Sequence, residues 1–162
     1  MISLVLITQN FLLKNVNVFT PKGKIDSVDI LVENGIIKKI GKNLKSEYKV
    51  VDGNYHDVYP SFINTISSVG LVEISAVRAT NDLFEIGDFN AFVKSYNAIN
   101  PSSAHIGVIR SNGILIVNTI PRGSLISGFS SVVKLNGRTQ EEMLIKEKSA
   151  LNIFWNMKKI KK

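Results

Sequence analysis

Between Phe11 and Tyr59, apolar and polar residues alternate in short runs broken by turn-forming residues. Leu12 to Phe19 partly alternates, Pro21-Lys22-Gly23 makes a turn, and Ser27 to Glu33 alternates again. Side chains of a strand point to opposite faces with a period of two, so each run predicts a strand with one face buried. Asn34-Gly35 between two such runs predicts a tight hairpin, because both central positions of a type I′ turn need positive φ. Ile36 to Ile40 returns, Gly41 to Ser46 is a polar loop, and Lys49 to Asp52 and Tyr55 to Tyr59 add two short strands around Gly53. The reading is an antiparallel, β-sandwich-like module with lysines on its exposed face. The apolar opening, Met1 to Thr8, reads as a further strand. It is too short to span a bilayer and lacks the basic start and cleavage site of a signal peptide.

After Pro60 the rhythm changes. Phe62 to Ser67 reads as a mostly apolar strand. Arg78 to Gly87 reads as a loop, and Asp88 to Ile99 has helical spacing. Asn100 is placed to cap a helix with Pro101 at its first position, running to about Asn112 and stopping on Gly113. Ile114 to Ile120 has the composition of a buried strand, and Pro121 to Ser131 reads as a glycine- and serine-rich loop. Val132 to Leu135 and Met143 to Lys146 predict further strands, and Ser149 opens a final helix containing Leu151, Phe154 and Trp155. Strand, helix and strand after a β module predict an α+β chain: a β module over 1–61, a short α/β part over 62–157 and a basic tail over 158–162.

Charge changes this picture little. The net charge is +7, but only four of the twenty basic residues are arginine, the type suited to phosphate forks and base edges. Lys158, Lys159, Lys161 and Lys162 form a terminal tail, and Lys38, Lys39, Lys42, Lys45 and Lys49 flank turns. A solvated lysine surface is expected rather than a nucleic-acid interface. The absence of cysteine excludes disulfides, thiolate metal sites and cysteine nucleophiles, and fits a cytoplasmic protein.

Five segments, in order, carry a family resemblance. They are Ser27 to Leu44 (SVDILVENGIIKKIGKNL); Val51-Asp52-Gly53 with Tyr59-Pro60-Ser61-Phe62-Ile63-Asn64; Ile99-Asn100-Pro101 with Arg110 to Pro121; Leu125 to Thr139; and Glu142 to Lys148. Together they resemble the amidohydrolase superfamily, in particular its imidazolonepropionase- and dipeptidase-like branch. The resemblance implies a β-sandwich module followed by the first elements of a (β/α)₈ barrel, and a metal-dependent hydrolysis of C–N bonds.

That family places a His-x-His pair on its first barrel strand, where side chains at i and i+2 share a face and both reach one metal. The matching positions here are Ile66 and Ser68, with Asn64, Thr65 and Ser61 replacing the family's aspartate, alanine and glycine. Isoleucine has no donor atom and a neutral serine is a poor ligand for zinc-class metals. About ninety residues follow Ser68, against on the order of 250 for a complete barrel. The later strands carrying the family's bridging lysine, two further histidines and aspartate are therefore expected to be missing. No catalytic, cofactor-binding or metal-binding residue is assigned, and no cofactor.

Other chemistry is sparse. His56 and His105 are the only histidines, and their spacing to Asp52, Asp57 or Glu73 matches no ligand motif. The Pro121 to Gly128 loop could offer backbone N–H groups to an anion but lacks the Gly-Lys-Ser/Thr ending of a phosphate loop. Ser124, Ser127, Ser130 and Ser131 have no recognisable base partner, and Phe154 and Trp155 with Leu151 suit a core or an interface. The expectation is a non-catalytic remnant acting as an assembly or regulatory partner, either as a homo-oligomer or in complex with a full-length amidohydrolase. A small-molecule binder using a relic substrate pocket, or a hydrolase active only within such a complex, is the alternative.

Overall fold

The computed structural model describes residues 10–155, so the strand expected over Met1 to Thr8 and the tail from Lys158 lie outside the described residues. The chain is α+β and divides into two compact units, Met1–Pro60 and Ser61–Lys162.

The first unit is built on a long hairpin. β1 (Phe11–Thr20) and β2 (Gly23–Glu33) pair antiparallel from Phe11↔Val32 to Thr20↔Gly23, across the turn at Pro21 and Lys22. Asn34 and Gly35 have φ of 53° and 73°, so the expected tight turn forms and returns the chain as β3 (Ile36–Gly41). β4 (Lys49–Asp52) and β5 (Asp57–Val58) then join the free side of β1 in parallel, giving a five-stranded sheet. The Tyr55 to Tyr59 strand shrinks to two residues. Asn54 and Tyr55 take left-handed φ in succession, which turns the chain out of an extended run there, and the amides of Gly53 and Tyr55 fold back onto the carbonyls of Lys14 and Asn15. Val16, Val18, Val28, Ile30 and Val32 make the buried cluster of this unit.

In the second unit β6 (Phe62–Ser67) lies parallel to β7 (Ile114–Thr119), with α1 (Ala104–Ser111) in the crossover between them. β7 pairs antiparallel with β9 (Ser131–Lys134), and β9 with β10 (Leu144–Lys146), so the sheet order is β10-β9-β7-β6. Leu71, Ile99, Ile106, Val117, Val133, Leu135 and Met143 form its core, to which α1 contributes Ile106.

Four expectations change here. Asp88 to Ile99 is not an α-helix. Its backbone runs beside β8 (Ile126–Phe129), with bridges Phe89↔Ile126 and Lys94↔Phe129 and only a 3₁₀ turn at Ser95–Ala98. β8 itself falls inside the segment read as a loop. Gly128 lets another backbone approach, since a Cβ there would lie 2.7 Å from the Val93 carbonyl oxygen. The final helix is instead β11 (Leu151–Ile153), antiparallel to β8. α1 begins at Ala104 rather than at Pro101. The Asn100 side chain accepts from the Ser102 amide in a local turn, and the Asn100 amide is tied to Gly70.

One element escaped the periodicity reading: the single turn α2 (Gln140–Met143). Its signal is Thr139-x-x-Glu142, a capping box. The Thr139 hydroxyl accepts from the Glu142 amide at 3.2 Å, and the Glu142 carboxylate reaches back to the Arg138 amide at 2.8 Å.

Candidate functional site

In open α/β sheets, ligands bind beyond the carboxyl ends of parallel strands, which here are the ends of β6 and β7. β6 carries one residue more than β7 between their paired positions, Asn64↔Val117 and Ser67↔Thr119, so the strand bulges at Thr65 and Ile66. Side chains hold the bulge. Asn64 Oδ1 accepts from the Ile66 amide at 3.1 Å, and Asn118 Nδ2 donates to the Thr65 carbonyl at 3.1 Å. The ladder resumes where the Ile120 amide donates to the Ser67 carbonyl.

Ile66 stands on this bulge with 64% of its surface exposed, and Ser68 follows the strand half-buried, its carbonyl accepting from the Leu71 amide. The donor set at these two positions is therefore an all-carbon side chain and a neutral hydroxyl. That set does not fit the divalent metal the family resemblance implies, and no chemical step can be derived through one. Below it the strand ends are stitched by hydroxyls: Ser67 Oγ accepts from the Val69 amide, and Ser95 Oγ donates to the Thr119 carbonyl at 2.8 Å. Asn118 Oδ1 is buried and has no hydrogen-bond partner within the protein.

The other candidates are placed in structural roles. His56 lies exposed in the first unit with Nδ1 2.7 Å from the Gly53 carbonyl, and His105 lies exposed in the second with Nε2 3.2 Å from the Glu73 carbonyl. Asp52 accepts from the Asn54 amide and from Asn15 Nδ2; the first bond chiefly, then the second, holds its carboxyl below the ordinary range. Asp57 accepts from Asn17 Nδ2, and Glu73 from Asn100 Nδ2. Among the described residues, no three or more His, Cys, Asp or Glu side chains are gathered as a metal site requires.

The Pro121 to Gly128 loop, whose N–H groups could have met an anion, is closed by its own groups. The Ser124 amide donates to Ser127 Oγ, which donates to the Ser124 carbonyl. Ser124 Oγ takes a bond from Asn90 Nδ2 at 2.8 Å, while Ser130 and Ser131 donate to the carbonyls of Ala150 and Glu147. Phe154 and Trp155 are exposed. Among the described residues no helix is long and apolar enough to cross a membrane.

A strand-rich unit is followed by a β-α-β crossover, and structural likeness makes the chain amidohydrolase-like. Among solved structures it is similar to an amidohydrolase from Thermotoga maritima MSB8, with a TM-score of 0.81 and 26% sequence identity. That likeness covers 88% of this chain and 38% of the other, so the chain spans well under half of its relative's length. No protein-family model matches the chain, and no curated protein matches it.

Proposed function

We propose that this amidohydrolase-like protein is not itself a hydrolase and serves as an assembly or regulatory partner. One observation carries the reading: the strand-end position where the resemblance requires a first metal ligand holds Ile66, and its i+2 neighbour is Ser68. The imidazolonepropionase- and dipeptidase-like branch is our assignment, resting on Ser27 to Leu44 and on the Val51 to Asn64 run. Metal analysis of protein purified without chelator tests the reading. Less than about a tenth of an equivalent of zinc, iron or manganese is expected, and stoichiometric metal overturns it.

A second reading is favoured by Asn118. Its buried, unpartnered Oδ1 lies at the strand ends, where it could accept from the N–H of a small amide or imide. Thermal-shift screening against such compounds would show stabilisation of the intact chain but not of Asn118→Ala. Uniform silence discards this reading.

A further inference from the structure

We infer that the apolar face formed by the 84–94 segment, β8 and β11 is a docking surface for a second copy of this chain. This deepens the assembly reading above by naming the partner and the surface.

The face follows from register. Ile126 is bridged by Phe89 on one side and by Ile153 on the other, and Phe129 by Lys94 and Leu151. Directly paired residues share a face, and so do Leu151 and Ile153 at i and i+2. The irregularity between Asn152 and Ile153 puts Ile126 and Phe129, three apart, on that face as well.

Ile86 and Phe92 flank Phe89 in the chain, and Trp155 follows Ile153 by two residues. Together with Phe89, Leu151 and Ile153 these six are exposed by between 42% and 83%. Taking roughly 200 Å² for a large apolar side chain, they present on the order of 800 Å² to solvent. A standard interface buries about 800 Å² per partner, so exposed apolar area on this scale is enough for one.

Two features favour another copy as the occupant. The charges around the face are of both signs: Lys94 is tied to Glu147, Lys148 lies 5.0 Å above the Phe129 ring, and Glu85 and Asp88 are exposed in the same segment. An apolar patch complements itself, as a two-fold interface requires. β11 is also the outer strand of its pair, and among the described residues nothing hydrogen-bonds to its far edge. Its residues, Leu-Asn-Ile, carry none of the lysine or proline that blunts a free edge, so antiparallel pairing of two β11 strands would satisfy both.

Light scattering on the full chain, eluted from a sizing column at micromolar concentration, tests this. The expected mass is twice 17.9 kDa. Phe89→Glu or Trp155→Glu should each weaken dimerisation roughly tenfold or more by burying an unpaired charge. Ile63→Glu, exposed on β6, should leave the dimer intact. Far-UV circular dichroism confirms the fold of each variant, and Trp155, 70% exposed, is the change least able to disturb it. A wild-type monomer overturns the inference, as does a dimer indifferent to both changes on this face. Neither outcome bears on the metal content that tests the non-catalytic reading.

Discussion

Asn118 Nδ2 donates to the carbonyl of Thr65 across 3.1 Å, supplying from a side chain the bond that the β6 bulge takes from the strand ladder. The same side chain keeps its Oδ1 buried and unpartnered, so the two ends of one amide pull stability in opposite directions. Asn118→Ala removes both effects and should cost about 0.5–1.5 kcal/mol. Asn118→Asp replaces the donor with an acceptor facing the Thr65 oxygen and should cost about 1–3 kcal/mol. Urea unfolding checks the order of the two variants; an aspartate as well tolerated as alanine would show that the bond is idle.

Asp29 is the corresponding staple of the first unit. Buried, it accepts from the Asn15 amide at 3.2 Å with one oxygen and from the Leu44 amide at 2.9 Å with the other. It thereby fixes the left-handed Asn15 in β1 and anchors the loop after β3. Asp29→Ala leaves two backbone donors without this acceptor and should destabilise by about 2–3 kcal/mol. Asp29→Asn should recover little, because its NH₂ must face one of those donors. Chemical denaturation of the three proteins decides this, and full rescue by asparagine would refute the two-acceptor role.

The Lys94–Glu147 pair ties the 84–94 segment to the connection after β10. The bond from Lys94 holds the Glu147 carboxyl below its ordinary 4.5, and the bond to Glu147 holds the Lys94 ammonium above its ordinary 10.5. A carboxyl lowered by folding adds stability above its unfolded pKa, and that stability is lost as pH falls through the folded value. The gap in melting temperature between wild type and Glu147→Gln should therefore be present at neutral pH and shrink below about 4.5. Thermal melts at pH 7 and pH 3 test it; a gap that does not close assigns the effect of Glu147 to packing.

Gly128 has φ of 106°, and a Cβ there would sit 2.7 Å from the Val93 oxygen and 2.9 Å from the Val93 Cβ. Gly128→Ala adds backbone strain to overpacking and should cost about 1–3 kcal/mol, with the loss centred on β8. Hydrogen exchange should show the Phe129 amide, bonded to the Val93 carbonyl, losing protection first.

Legibility followed the range of the forces involved. Phe62–Ser67 appears with the ends expected of it, and Asn34-Gly35 makes its turn, because apolar composition and positive φ are local properties. The Asp88 to Ile99 and Ser149 to Trp155 segments have apolar residues at a spacing that fits a helix, yet both pair with β8. Their partner lies more than twenty residues away on either side and sits within a stretch whose serines and glycines read as loop. Small residues there serve close backbone approach, which composition cannot distinguish from a turn. The capping box at Thr139 and Glu142 was legible and is simply weaker than the strand pattern around it.

By itself the sequence determined the α+β class, the tight turn at Asn34-Gly35, and the chemistry of the strand-end position, since no fold can give Ile66 a donor atom. Tertiary structure alone decided that β6 bulges at Thr65 and Ile66, that Asn118 closes the gap, and that Phe89, Ile126 and Ile153 line up in one row. Each of those depends on which backbone lies alongside, and pairing between distant segments is settled only when the whole sheet forms.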